Sequence, residues 1–89
     1  MKAYWVEFKK SGLRGLPVGT WLGCGVTAYD KEDAIKLLKQ LLFKNWNSVP
    51  VLSIKENISI NDLDQHDVAP DIGNIQVRGI WYPDLGSNL

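Results

Sequence analysis

A single helical stripe of apolar residues limits what this chain can fold into. Between residues 31 and 44, apolar side chains recur at intervals of three and four, at Ala34, Leu37, Leu38, Leu41 and Leu42. This spacing predicts an amphipathic helix with one apolar face and one charged face. Asp30 is a suitable N-cap, and Glu32 and Asp33 place negative charge at the positive end of the helix dipole. The stripe needs one face of a sheet to cover it.

Four other segments have the composition of β-strands, at residues 3–8, 20–29, 51–54 and 75–82. Alternation in the first two places one apolar set toward the helix: Tyr4, Val6, Phe8, Leu22, Cys24, Val26 and Ala28. The opposite face carries Trp5, Trp21, Gly23 and Gly25, and no second helical pattern is present to cover it. We therefore expect this face to be either solvated or an interaction surface.

These elements predict an α+β fold with two layers. A mostly antiparallel sheet of four to five strands carries one amphipathic helix on one face, in the order β-β-α-β-β. Residues 56–74 are polar and acidic, and the pattern leaves open whether they form a short strand or a helical turn. With 89 residues, the chain is expected to form a single domain, 1–89.

The composition favours a soluble, cytoplasmic protein. Apolar residues make up 45% of the chain, which is typical of globular domains. No stretch approaches the roughly 18 uncharged apolar residues of a membrane span, and the N-terminus lacks the apolar segment of a signal peptide. The single cysteine, Cys24, excludes an internal disulfide and suits a reducing compartment. Four tryptophans exceed what one small core holds easily, so at least one is expected near the surface.

Charge is balanced overall but divided along the chain. The net charge is zero, which argues against a strongly electrostatic nucleic-acid binder. Residues 1–44 hold eight basic and four acidic side chains, whereas residues 45–89 hold two basic and six acidic. This asymmetry favours opposed surface patches, and the alternative is that folding intermixes the two halves.

The residues that catalysis requires are not brought together by any motif. The only histidine, His66, lies in the acidic segment, and Cys24 falls on the predicted core face, so a Cys/His pair is less expected than a buried cysteine and a surface histidine. An EF-hand counted from Asp62 fails, because Asp67 stands where glycine is required. A looser metal site of Asp62, Asp64, His66 and Asp67 is an alternative, but such runs are usually solvated. We expect no cofactor, no metal and no enzymatic activity.

Two features point to a protein partner, in addition to the aromatic residues Trp5 and Trp21 on the uncovered sheet face. The first is an acidic run with Glu56, Asp62, Asp64, Asp67 and Asp71. The second is a cluster of Arg78, Trp81 and Tyr82, the residue types enriched at interface hot spots. We therefore predict that Asp62, Asp64, Asp67, Asp71, Arg78, Trp81 and Tyr82 bind the partner. The alternative is that these aromatics simply pack in the core, since small domains also use Trp and Tyr in that way.

The β-rich start, residues 4–8, and the later run, residues 78–83, give the chain a plan that resembles small bacterial immunity proteins. Those proteins neutralise toxins delivered between competing cells, as in contact-dependent inhibition. The resemblance implies a cognate toxin as partner. Many such toxins are nucleases with basic channels, which an acidic loop with Trp81 and Tyr82 as anchors would occupy.

The alternative function is a small nucleic-acid-binding domain. Its sheet face would stack bases on Trp5 and Trp21, with Lys9, Lys10 and Arg14 meeting phosphates. The sequence pattern of RNA-recognition sheets is absent, and the zero net charge weakens this alternative.

Overall fold

The computed structural model describes residues 1–9, 15–17, 20–63, 65–66, 68 and 72–84. These residues form the strands β1 (Lys2–Phe8), β2 (Cys24–Ala28), β3 (Val51–Glu56) and β4 (Gly79–Tyr82), the helix α1 (Lys31–Leu41) and a short 3-10 helix at Ile60–Asp62. The strands make one antiparallel sheet in the spatial order β3-β1-β2-β4. The predicted α+β class is confirmed. Neither described helix has the length and apolar content needed to cross a membrane.

The first hydrophobic cluster lies between α1 and the sheet, as the alternation predicted. Its strand residues are Tyr4, Val6, Phe8, Cys24, Val26 and Ala28, and its helix residues are Ala34, Leu37 and Leu38. β1 is central and pairs with β2 on one side and β3 on the other, so its alternate residues fix both faces of the sheet.

Helix α1 begins as predicted and ends earlier. The carboxylate of Asp30 accepts a hydrogen bond from the backbone N–H of Asp33 at 2.8 Å, which is an N-cap contact. The helix stops at Leu41, whose side chain is exposed, and the N–H groups of Leu42 and Phe43 both bond to the carbonyl of Leu38. Phe43 is fully buried in the first cluster, whereas Leu41, which the sequence pattern placed in the core, is exposed.

Two strands are shorter than predicted because turns occupy their beginnings. Residues 20–23 form a turn in which the Gly23 N–H bonds to the Thr20 carbonyl at 3.0 Å, and Gly23 has a φ of 128°. This turn leaves Leu22 exposed rather than in the core. Residues 75–78 precede β4, which begins at Gly79 with a φ of 142°. In contrast, β3 extends to Glu56, two residues beyond the prediction.

The second sheet face is covered in part, so the expectation that nothing covers it is wrong. Trp5, Trp81 and Tyr82 form a second cluster there with Leu63 and Val68. The pairing of β2 with β4 shifts its register between Gly25 and Val26. At this irregularity the neighbouring residues Trp81 and Tyr82 both pack in the second cluster. The cover consists of chain without regular strand structure, which helical and strand periodicity could not reveal.

Hydrogen bonds hold this covering chain to the sheet. The Thr27 hydroxyl donates to the carbonyl of Ile75 at 2.5 Å. The Gly73 N–H donates to the carbonyl of Trp81 at 2.7 Å. The covering chain is therefore tied to both β2 and β4.

Candidate functional site

A cleft of about 470 Å³ lies on the second face of the sheet, where the covering chain meets β1 and β3. It is lined by Trp5, Glu7, Leu22, Lys55, Ile58, Asp62, Leu63 and Val68. Apolar residues and three ionisable side chains share this lining.

The pairing of β1 with β3 determines which side chains form the sheet side of the cleft. Trp5 on β1 is opposite Lys55 on β3, and Glu7 is opposite Ser53. All four side chains point to the second face because they alternate with the core residues of the first. The Ser53 hydroxyl donates to Oε1 of Glu7 at 3.2 Å, which orients that carboxylate on the sheet side of the cleft.

The opposite wall is held by local hydrogen bonds. Oδ2 of Asp62 accepts from the backbone N–H of Ser59 at 2.9 Å and from its hydroxyl at 3.2 Å. This is a reach-back contact of the kind found at helix N-termini, and it orients Asp62 on the first turn of the 3-10 helix. The Ile58 N–H donates to the carbonyl of Ala3 at 3.1 Å, which ties the wall to β1.

The three charges in the cleft are not paired with one another. The ion pairs of the described residues join Lys2 to Glu56 and Asp33 to Arg78. The ammonium of Lys55 therefore lies outside ion-pair distance of both Glu7 and Asp62. Among the lining residues that the structure describes, two carboxylates and one ammonium leave an excess of one negative charge.

The cleft residue Leu22 and two other apolar residues of the sheet region, Trp21 and Leu52, are exposed. Trp21 is 62% exposed and Leu22 is 45% exposed, in the turn that precedes β2. Leu52 is also exposed, because Phe8 pairs with Val51 while Glu7 pairs with Ser53, so that Leu52 is the extra residue of a bulge. We call Trp21 and Leu22, of which Leu22 lines the cleft, the apolar ledge. The expectation of at least one surface tryptophan is confirmed by Trp21.

The predicted aromatic anchors are buried. Trp81 is 1% exposed and Tyr82 is 8% exposed, and their ring centroids lie 6.2 Å and 5.5 Å from that of Trp5. Packing of the second cluster explains both residues, and they have little surface to offer a partner. Trp5 is 8% exposed, so it also lacks the open face that base stacking requires.

Arg78 is separated from these aromatics and is bound to the start of α1. Its guanidinium donates through two nitrogens to the two carboxylate oxygens of Asp33, at 2.8 Å and 2.5 Å, and lies 5.3 Å from the ring centroid of Tyr29. The guanidinium, together with a bond from the Tyr29 N–H, lowers the pKa of Asp33 to about 2. Arg78 therefore already has a structural role.

The acidic run is described only in part. Asp62 is exposed at the cleft, while Asp64, Asp67 and Asp71 lie outside the described residues. Within the described ranges, no three His, Cys, Asp or Glu side chains are grouped so that they could hold a metal ion. Cys24 is fully buried, and desolvation raises the pKa of its thiol to about 12.

Sequence reasoning missed Glu7, Leu22 and Lys55 as site residues. The alternation along β1 did place Glu7 beside Trp5 on the second face, but the register that brings Lys55 there was not predictable from local pattern. Comparisons with known proteins find no matching family model, curated protein or solved structure. The interpretation of the site therefore depends on its own residues.

Proposed function

We propose that this protein is a non-catalytic binding domain that recognises another protein through the cleft and the apolar ledge, and that it serves as an immunity protein for a cognate toxin. The observation that carries the proposal is the exposure of Leu22, which lines a cleft whose described residues carry an excess of negative charge, and of Trp21 next to it in the chain.

Exposed tryptophan favours a protein interface on energetic grounds. Burial of apolar surface contributes about 25 cal/mol per Å², so a partner that covers Trp21 and Leu22 gains binding free energy from surface that is exposed in the isolated domain. Tryptophan is also the residue type most enriched at interface hot spots, where it enters a desolvated pocket of the partner.

The acidic residues orient the partner protein and increase the rate at which it associates. Asp62 lies at the cleft, and Asp64, Asp67 and Asp71 follow it in the sequence. Negative charge near an interface steers a basic partner and makes association dependent on ionic strength. This is the complement expected for a toxin with a basic substrate channel.

The state of the cysteine supports a non-catalytic role. Nucleophilic catalysis requires an accessible thiolate near a base. The Cys24 side chain is enclosed in the first cluster, and its raised pKa keeps the thiol protonated at neutral pH.

The test starts from the gene beside this chain's gene, which the proposal requires to encode a protein with a toxic C-terminal segment, and co-expresses that segment with the domain in a bacterial host. We expect the wild-type domain to restore growth and to bind that segment directly. Trp21→Ala should weaken binding by more than about tenfold, which is 1.4 kcal/mol. Tyr29→Ala, which removes an equally exposed ring at the other end of β2, is the matched control and should bind as the wild type does.

Absence of both protection and binding would contradict the toxin role. The combined variant Asp62→Asn, Asp64→Asn and Asp67→Asn tests the electrostatic part of the proposal. We expect it to weaken binding by at least about tenfold and to flatten the dependence of affinity on salt. Unchanged affinity and salt dependence would show that the acidic run is only a solvated segment.

A further inference from the structure

We infer that the cleft receives a cationic group carried on an apolar stem, and that in the bound partner this group is an arginine side chain. The inference rests on the proposed function in one respect, because the arginine is taken to belong to the partner protein that the domain binds. The chemistry of the cleft determines the type of side chain.

The carboxylates of the cleft retain acceptor capacity. Among the described residues, Glu7 accepts one side-chain hydrogen bond, at Oε1 from Ser53, and Asp62 accepts both of its bonds at Oδ2 from Ser59. An ionised carboxylate offers roughly four acceptor positions. Each carboxylate therefore has an oxygen available for further donors, and the two come from opposite walls of one cleft.

The rest of the lining suits an apolar stem. Leu22 and Leu63 contribute aliphatic surface, and Trp5, which is mostly buried in the second cluster, adds a small apolar area. Arginine matches this combination better than lysine, because its guanidinium is more weakly hydrated and carries five donors in a planar fork that two carboxylates can share.

Substitution of Lys55 tests whether the group that enters the cleft is a cation or an anion. Its ammonium lies in the same cleft, outside ion-pair distance of Glu7 and Asp62, and opposes the entry of a second cation. Removal of the Lys55 charge should therefore tighten binding of an arginine, whereas removal of the Glu7 charge should weaken it. An anionic occupant would give the opposite pattern for both variants.

The probe is the peptide Ac-Gly-Arg-Gly-NH2, compared with its citrulline twin, which has nearly the same shape but no charge. Binding is followed by NMR from the indole N–H groups of Trp5 and Trp21 and the backbone amide of Leu22. At low ionic strength we expect the arginine peptide to bind roughly threefold tighter than the citrulline peptide, as exposed ion pairs of modest strength imply.

Matched variants separate the cleft from general charge effects. Glu7→Gln keeps the acceptor for Ser53 and should reduce the preference for arginine, whereas Glu56→Gln, outside the cleft lining, should not. Lys55→Gln should strengthen binding of the arginine peptide, whereas Lys9→Gln, an exposed lysine just after β1, should leave it unchanged.

Equal binding of the two peptides, or no gain from Lys55→Gln, would overturn the inference. If co-expression with the toxin segment still protects the host, that result leaves the proposed function intact and removes only the arginine. Preference for arginine in a domain that gives no protection would support the inference and contradict the toxin role.

Discussion

The ring of Trp81 occupies the space that a side chain at position 25 would need. A β-carbon built on Gly25 would overlap three carbons of that ring. Gly25 pairs with Tyr82 in the ladder of β2 and β4, at the point where the register shifts, and this brings the tryptophan ring over the glycine backbone. The close approach explains why β2 carries a glycine in its interior.

Gly25→Ala should therefore destabilise the domain. Trp81 is enclosed by the second cluster and has no room to move away, so the added methyl group forces a backbone or side-chain shift. We expect a loss of about 1–3 kcal/mol in the free energy of unfolding, measured by urea denaturation followed by circular dichroism. Gly15→Ala is the control, because a β-carbon there meets no atom within 4 Å.

The phase of α1 can be tested with two identical substitutions. Leu38 is fully buried and Leu41 is 38% exposed. Leu38→Ala should cost about 2–5 kcal/mol through lost burial and a residual cavity, whereas Leu41→Ala should cost well under half as much. Equal losses in a denaturant titration would contradict the helix end described above.

The contact of Asp33 with Arg78 predicts a pH dependence at the acid end. The pKa of Asp33 is about 2 in the folded protein, against an ordinary value of 3.8. Because the folded pKa is lowered, the stabilisation is fully present above about pH 4 and is lost as the pH falls toward 2. Asp33→Asn should therefore lower the melting temperature at neutral pH, and its curve should converge with that of the wild type near pH 2.

A neighbouring variant is the control for this experiment. Glu32→Gln removes a charge from the same first turn of α1, so it reports the loss of helix-dipole stabilisation without loss of the Arg78 contact. We expect a smaller change in melting temperature than for Asp33→Asn. If the two variants behave alike, the paired guanidinium adds nothing to the stability of the fold.

Cys24 should be inert while the domain is folded. Its side chain has no exposed surface, and its thiol pKa of about 12 leaves almost no thiolate at pH 8. Alkylation by iodoacetamide should therefore proceed only through opening of the structure, and its rate should rise with urea in parallel with unfolding. Rapid labelling in native buffer would show that the thiol is accessible.

The helix and the inner sheet face were predictable because local periodicity encodes them. The intervals among Ala34, Leu37 and Leu38 fix one helix face, and alternation in β1 and β2 fixes the set that meets it. The N-cap at Asp30 was also predictable, since a short acceptor side chain just before an apolar stripe has one obvious local use.

The site was not predictable in the same way, because it depends on register and on irregular chain. The pairing that places Lys55 opposite Trp5 joins residues far apart in the sequence. The bulge that exposes Leu52 is likewise set by the ladder rather than by the residue itself. Trp81 is buried by a covering segment whose sequence has neither helical nor strand periodicity. For that reason the sequence predicted an interface residue where the structure has a core residue.

The four tryptophans are distributed so that they act as separate optical probes. Trp46 packs against Phe43 beside the first cluster, Trp5 and Trp81 adjoin each other in the second, and Trp21 faces solvent. Fluorescence of variants that retain one tryptophan should therefore distinguish the helix side of the sheet from the covered side. Iodide should quench Trp21 most strongly, and the emission of Trp46 and Trp81 should show whether the two sides of the sheet melt in one transition or in two.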